Sequence, residues 1–420
     1  MEIMRFYKQK RILHKYVRWM YELLEDGRFY YLQRSKNIKD LPRYYRKGDK
    51  VRYFERMYHC ADSFTGKLDP NTGEHRLDRG FFCGDRVCPV CAIKKTIWEY
   101  SKLTWQMEHF KEDYTYYFLT LTLPNNPEGF RTEIDLLSSI LRDLGDYIGY
   151  DQKKDRFRFC TGMYGSYEIT KSHYGWHPHL HLVLAYPTKY VESTNTVRKV
   201  INGRERVFEN GLQLRCGKKS LLISQDTIMQ KYIDLVKSKT DVYNERLEDL
   251  NFLNIGFQPC YNISDGVNEM SKYLIDFEAL ESVDDLYIYM RDSYNLRQRV
   301  RRGIFRWTPE LKKQHREYLD KFNAERNFYF VQSSEAKDYN FAWYKDGYYC
   351  SRLVEGVVTI PFTNKSKKVM IVKRLMLRPI YDSSGKPSGY QVKKIKDKVI
   401  YDWFKDIQPS FEEFVQIKIE

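Results

Sequence analysis

The sequence predicts an α+β fold: a central antiparallel sheet carrying helices, a Cys-rich N-terminal module, and a small C-terminal domain. Three observations carry this reading. YYFLTLTLPNN alternates Leu119, Leu121 and Leu123 with Thr120 and Thr122, the pattern of a half-buried strand, and Pro124 ends it. Residues 130–147, FRTEIDLLSSILRDLGDY, space their apolar residues as a helix does. TGMYGSYEITK (161–171) and GWHPHLHLVLA (175–185) alternate again, giving the order strand, helix, strand, strand.

Composition limits the partners. The chain has 420 residues, of which 42% are hydrophobic and 16% aromatic, enough for two or three packed domains. Lys and Arg number 71 against 56 Asp and Glu, a formal charge of +15, so a polyanion is the natural partner. The 36 Tyr and 24 Phe offer ring faces for unpaired bases, although most aromatic residues in any chain are core or surface. The N-terminal stretch MEIMRFYKQKRILHKYVRWMYELL is basic and amphipathic, without the apolar run of a signal peptide, and no later segment is long enough to span a membrane. A cytoplasmic protein with reduced cysteines is expected. The sequence contains neither an internal repeat nor a low-complexity linker.

Of eight cysteines, Cys83, Cys88 and Cys91 form a C-x4-C-x2-C run in FFCGDRVCPVC, with Cys60 upstream in MYHC. Four thiolates close a tetrahedral structural zinc site, and C-P-V-C is a typical knuckle. The gap between Cys60 and Cys83 is long, so His59 or His75 is an alternative fourth ligand. The competing reading is a metal-free basic loop with incidental buried thiols. A redox Cys-x-x-Cys fits less well, because no thioredoxin-like strand pattern precedes it. A helix is expected from Thr96 to about Phe110.

In GWHPHLHLVLA an extended backbone puts His179 and His181 on one face and Leu180, Leu182 and Leu184 on the other. A two-residue turn at Tyr174-Gly175 would set Glu168 opposite His181 and Thr170 opposite His179. Two imidazoles and a carboxylate leave open positions on a divalent ion, as a catalytic metal requires. A shift of two residues at the turn would put another side chain in place of Glu168. A lone histidine is more often a satisfied core or surface residue.

Downstream, Val267, Met270, Leu274 and Phe277 of ISDGVNEMSKYLIDFEAL fit one stripe of a helix opening near Asp265. Glu269 and Tyr273 are i, i+4 neighbours on its margin. Tyrosine is a weak nucleophile at its ordinary pKa of about 10, yet beside a metal that neutralises a phosphate it can attack phosphorus and hold a covalent phosphotyrosine. With 36 tyrosines present, packing is the default role for any single one.

Taken together these motifs resemble the rolling-circle replication initiators of small bacterial plasmids, members of the HUH endonuclease superfamily with its ferredoxin-like core. FLTLTLPN is similar to their first motif, HPHLH to the metal-binding motif, and NEMSKY to the nicking motif of the single-tyrosine type. CGDRVCPVC is similar to the Cys-rich segment before the catalytic sheet, and LRQRVRRGIFRW resembles the basic Gly-x-Phe segment after it. The resemblance covers about residues 55–310 in order.

It implies a metal-dependent, site- and strand-specific endonuclease and strand transferase. Tyr273 would attack the origin phosphodiester and keep the 5′ phosphate, leaving a 3′ hydroxyl for a polymerase. Mg²⁺ or Mn²⁺ on His179 and His181, with Glu168 as the geometric choice for a third ligand, would polarise the phosphate. Glu269 would activate water for the terminating cleavage. Lys272, Arg297, Arg299 and Arg301 are expected to contact DNA, a single-stranded or cruciform nick site, and a host helicase and DNA polymerase are the further partners implied. His177 has no assigned role.

The expected boundaries are 1–112 for the basic, zinc-binding N-terminal region, 113–310 for the catalytic domain and 311–420 for the C-terminal domain. An insertion at 187–255 carries VRKVINGRERVF and an amphipathic helix around Ile228, Tyr232 and Val236. Beyond Lys312, RNFYFVQ, GVVTIPF and KVMIVKRLML read as strands, in a region that would contact DNA, a helicase or another copy. Three rivals share these residues: a single-tyrosine transposase, a non-catalytic zinc-finger DNA-binding protein, and a metal phosphoesterase using activated water, which would leave no covalent adduct.

Overall fold

The computed structural model describes residues 4–26, 28, 56–71, 75–85, 87–150, 158–201, 204–240, 253–264, 267, 270, 274–331, 337–344, 347–359, 366–381 and 387–400. Two compact units divide the chain: 1–18, 36–93 and 319–420 form one, and 19–35 and 94–318 the other.

The second unit is built on a five-stranded sheet in the order β10-β4-β5-β3-β9, in which each neighbouring pair is antiparallel. Its strands are β3 (Tyr114–Thr122), β4 (Gly162–Ser172), β5 (Gly175–Pro187), β9 (Ile255–Pro259) and β10 (Arg299–Gly303). The histidine strand β5 is central, between β4 and β3. The predicted alternation is realised there, since Leu180, Leu182 and Leu184 are fully buried and His177, His179 and His181 only half-buried. Helix α3 (Arg131–Asp143) buries Ile134, Leu137, Ile140 and Leu141, and the Ser138 hydroxyl meets the Tyr167 hydroxyl of β4 at 2.5 Å.

Three strands and an α-helix of the 187–255 segment belong to this unit. β6 (Val191–Ile201), β7 (Arg204–Cys216) and β8 (Lys219–Ile223) form a separate three-stranded sheet, so VRKVINGRERVF is a hairpin. Helix α4 (Gln225–Lys239) follows, with Ser224 as N-cap in a reciprocal box with Thr227. It buries Ile228, Tyr232 and Val236, the predicted stripe, and Tyr232 donates its hydroxyl to the Thr122 carbonyl at 2.7 Å. The segment therefore supports the end of β3.

The opposite face of the sheet is covered by helix α2 (Pro89–His109) and the segment bearing the tyrosine motif. Leu103 and Met107 of α2 share one core cluster with Tyr116, Tyr164, Val183 and Ala185 of the sheet, with Val267 and Met270, and with Phe305. Gly303, two residues before Phe305, has φ +58°, and a Cβ there would collide with the Thr161 carbonyl. The Gly-x-Phe of the basic segment thus combines a backbone conformation that L side chains avoid with an anchor in this core.

The first unit holds a six-stranded sheet in the order β14-β13-β12-β11-β1-β2. β1 (Ser63–Leu68) and β2 (His75–Gly80) follow the Cys60 loop. β11 (Lys337–Tyr344), β12 (Gly347–Thr359), β13 (Ser366–Tyr381) and β14 (Pro387–Ile400) come from the far end of the chain. Residues expected to form a separate C-terminal domain therefore share a sheet with the Cys-rich segment, through β1 and β11. RNFYFVQ differs from its strand-like reading: Arg326–Val331 are the last turns of helix Pro309–Val331, which the Glu- and Lys-rich helix formers before them propagate. GVVTIPF and KVMIVKRLML do lie largely in strands.

Candidate active site and cysteine cluster

The β4–β5 turn decides which side chains meet. Ser172 pairs with Gly175, so His173-Tyr174 is the two-residue loop, and Glu168 lies opposite His179, Thr170 opposite His177 and Ser166 opposite His181. This corrects the expected register by two residues: the turn forms one position earlier, which keeps each side chain on its face but changes its partner. Glu168 nevertheless reaches diagonally to His181, its Oε2 lying 2.9 Å from Nε2, a contact that neighbouring rows of a sheet allow. The side chains are 17% and 13% exposed, so the pair is sheltered without being sealed.

The other ring nitrogen of His181, Nδ1, is 3.2 Å from the Thr120 hydroxyl on β3. Thr120 thereby fixes the ring orientation, as an outer partner of a ligand histidine does. His179 stacks over His181 with centroids 5.9 Å apart at 17°, and its Nε2 is 3.2 Å from the Thr170 hydroxyl. His177 follows on the same face, 4.3 Å from His179, and burial depresses its pKa. The structure thus brings Glu168 and His181 into contact and aligns His179 beside them with one nitrogen turned to threonine. By donor type, imidazole nitrogens and a carboxylate on a half-open face suit a divalent ion, but the ligand atoms of Glu168, His179 and His181 do not converge as the thiols do: among the described residues only the four cysteines bring three or more ligand atoms within 4.8 Å of one another.

Glu269, Lys272 and Tyr273 lie outside the described residues. Their described neighbours are tied to this sheet. Val267 and Met270 are helical and fully buried in the core cluster. Beyond, the Leu274 carbonyl accepts from the Ile169 N–H at 2.6 Å and Ile275 bridges Ile169 in parallel. Ile169 is the residue after Glu168. Leu274 and Phe277 are buried as predicted but not on the same helix as Met270, because the backbone there has left the helix to bond β4.

The basic residues are divided in role. Arg297 is exposed. Arg299 is buried, on the row Arg299–Ser166–His181–Thr120 that crosses the sheet. Arg301 pairs with the buried Glu99 of α2, lies 5.5 Å from the Tyr164 ring, and is 29% exposed. Burial pushes the Glu99 carboxyl up, but Arg301, Arg299 and Lys102 together outweigh it and hold it below its ordinary value. Sequence reasoning missed Glu99 because nothing local distinguishes it. Thr120 was legible, since the period of LTLTLPN places it across from the leucines.

In the first unit, Cys60, Cys83, Cys88 and Cys91 are all buried, with their sulfurs within 4.8 Å of one another. Among the described residues they form the single group of three or more such ligands. Cys91 Sγ is 3.5 Å from both Cys60 and Cys83 Sγ. A tetrahedron with metal–sulfur bonds of ~2.3 Å has edges of about 3.8 Å, so the four thiols fit a metal the size of zinc. Cys88 stands immediately before the helix that Pro89 opens, and Gly84, at φ +77°, turns its N–H onto Cys91 Sγ at 3.1 Å. Hydrogen bonds from Cys60, Cys83 and Cys88 hold Cys91 well below the ordinary thiol range. The Cys60 interaction together with burial raises Cys83, and burial above all raises Cys88. His59 and His75 do not join the cluster: His59 Nδ1 is 2.6 Å from Asp62, and His75 packs near Phe341. Lys10, fully buried, braces the loop through the carbonyls of Tyr58 and Cys60, the latter at 2.9 Å, and through Asp62.

Residues 74–200, which include the Cys83–Cys91 knuckle and the histidine strand, match the family model described as Replication protein. That stretch is similar to a replication-protein domain. A protein designated Protein rep from Bacillus amyloliquefaciens is 32% identical over 141 residues, covering 32% of this chain and 40% of that protein. A Protein rep of a Bacillus species is 30% identical over 141 residues, covering 32% and 44% respectively. The chain thus spans about two fifths of the length of these Bacillus relatives. The Protein rep of Lentilactobacillus hilgardii is 27% identical over 313 residues, 65% of this chain and 94% of that protein. No solved structure matches. These relatives support the resemblance to rolling-circle plasmid replication initiators. Among the described residues no helix is long and apolar enough to cross a membrane.

Replacing Glu99 by Gln should lower stability at pH 7 by roughly 2–4 kcal/mol, because Arg301 and Arg299 lose a buried counter-charge. The folded protein holds this carboxyl below 4.5, so its contribution is complete above that pH and disappears as pH falls through the lower folded value. In urea titrations the gap between wild type and Glu99→Gln should shrink below pH 4.5 and stay constant from there to neutrality.

Proposed function

We propose that this protein initiates plasmid rolling-circle replication by nicking one strand of the origin through Tyr273 and rejoining it at termination. The observation that carries this reading is the Glu168–His181 contact on the open face of the sheet, with the chain on either side of Tyr273 tied to that sheet by Met270 and Leu274. The replication-protein match at 74–200, which includes the Cys83–Cys91 knuckle and the histidine strand, supports it.

In the first step the Tyr273 hydroxyl oxygen bonds to the scissile phosphorus and loses its proton. The bond from phosphorus to the 3′ oxygen breaks, and that oxygen takes up a proton to become the 3′ hydroxyl. His179, His181 and Glu168 would hold a Mg²⁺ or Mn²⁺ ion, which would supply positive charge to polarise the scissile phosphate. Thr120 keeps the His181 ring in place for this. Lys272 and Arg297 would meet the DNA backbone, and Arg299 and Arg301, on the histidine face of the sheet beside Glu99, would act through their charge. At termination Glu269 removes a proton from water as the water oxygen bonds to phosphorus for the terminating cleavage and the bond to the 3′ oxygen breaks; the 3′ hydroxyl so formed attacks the phosphotyrosine, which rejoins the strand and returns a proton to the Tyr273 oxygen as its bond to phosphorus breaks. The four-cysteine cluster would hold zinc, which would fix the loop entering α2. Polymerase extends the 3′ hydroxyl, and a host helicase opens the duplex.

Incubation with a supercoiled plasmid carrying candidate origin DNA, followed by a search for protein on the 5′ end, tests the reading. Tyr273→Phe should abolish both nick and adduct while DNA binding stays near wild type; persistent adduct would move the nucleophile elsewhere. In the same assay Glu269→Ala should still nick and form adduct, while hydrolytic release falls by roughly a hundredfold or more. Equal loss of both steps would instead assign Glu269 to the metal or to orienting Tyr273. The purified protein should contain one equivalent of zinc by elemental analysis, and Cys88→Ala should lose it together with thermal stability.

A further inference from the structure

At the end of the sheet where β5 begins, a cavity of about 280 Å³ is lined by Asn126, Gly129, Phe130, Arg131, Glu133 and Asp292, among others. It lies apart from the histidine row but close to it along the chain: Asn126 and Trp176 exchange backbone hydrogen bonds at 2.9 and 2.8 Å, and Trp176 precedes His177. Most polar groups around the cavity are satisfied. Asp292 accepts from the Phe130 N–H at 2.8 Å and from Arg291, and Arg291 also donates to the Glu128 carbonyl at 2.7 Å. Arg131 donates to Asp135 and to the Tyr294 carbonyl. Gly129 permits this crowding, since a Cβ there would collide with Asp292 and Arg291.

Glu133 is different. It is 6% exposed, and its Oε1 accepts from the Asn126 amide at 2.7 Å, but Oε2 is buried without a hydrogen-bond partner. Burial raises its pKa, as expected of a carboxylate short of donors. A buried acceptor left unsatisfied costs free energy that a ligand donor can recover.

We infer that this cavity binds an unpaired cytosine of the DNA strand being processed, its exocyclic amino group donating to Glu133 Oε2. Carboxylates read cytosine through that amino group, and unpaired bases are read on the same edge when splayed into a pocket. Arg131 and Arg291, whose side chains are 41% and 45% exposed, are placed to meet the adjoining phosphates. The inference rests on the reading that a single DNA strand is the substrate; it adds where an unpaired base of that strand is recognised.

Cytosine and thymine differ at the position that matters, an amino donor against a carbonyl acceptor, so short oligodeoxycytidine and oligodeoxythymidine of equal length are the probes. Fluorescence anisotropy with the full chain, without Mg²⁺ or Mn²⁺, reads binding independently of nicking. Wild type should bind the cytidine oligomer roughly 5- to 100-fold tighter, the range of one base-edge contact. Glu133→Gln keeps the side chain's shape but presents an amide, and should bring the ratio close to one while binding to oligodeoxythymidine is retained. An equal affinity in the wild type, or an unchanged ratio in the variant, overturns the base pocket and leaves the nicking proposal standing. Binding to neither oligomer overturns both. A preserved preference with no origin nicking would overturn the catalytic reading alone.

Discussion

The two-faced character of β5 is the constraint on which the rest of the catalytic unit depends. One side of the strand is leucine and must be sealed; the other carries imidazoles that must stay partly open. The helix α3 provides the seal, aided by α4 through Tyr232 and Thr122. On the polar side, α2 and the residues Val267 and Met270 pack with Val183 and Ala185, while His179 and His181 stay half-buried. Apolar and polar halves of one strand face are thus consecutive along it: the Val183 end joins the core cluster, and the His179 end keeps its imidazoles partly exposed.

Electrostatics follow the same division. Glu168 answers His181 at the open end, while Glu99 answers Arg301 and Arg299 at the closed end. Basic residues that a sequence motif presents as one DNA-binding group are therefore unequal. Arg297 is in solvent, and Arg301 is committed to holding α2 against the sheet. Motif membership alone does not say which arginine meets phosphate.

What was legible in the sequence was whatever has a period. The alternation of LTLTL and HPHLHLVL fixed the strands and their faces, and the cysteine spacing pointed to Cys83, Cys88 and Cys91, beside which the structure places Cys60. The hairpin register was not legible, because His173-Tyr174 and Tyr174-Gly175 are both acceptable loops and only Ser172 pairing with Gly175 distinguishes them. The Glu168–His181 pair survived that shift because a glutamate reaches diagonally across a row. Leu274 and Phe277 keep the apolar spacing of Val267 and Met270 although at Leu274 the backbone bonds β4, so spacing alone did not show that the stripe leaves the helix. Pairing of Ser63–Leu68 with Lys337–Tyr344 leaves no local trace at all.

That long-range pairing bears on how the molecule is made. A ribosome delivers β1, β2 and all four cysteines early, but β1 acquires its second neighbour only when Lys337–Tyr344 emerges. By then every strand of the five-stranded sheet, ending at Gly303, has been synthesised. That sheet can therefore form while one edge of the cysteine-bearing sheet is still bare, and an exposed edge of this kind invites wrong partners. A metal bound early by the four thiols would hold that hairpin in its native shape during the wait, giving the cluster a role in biogenesis distinct from its role in the finished protein.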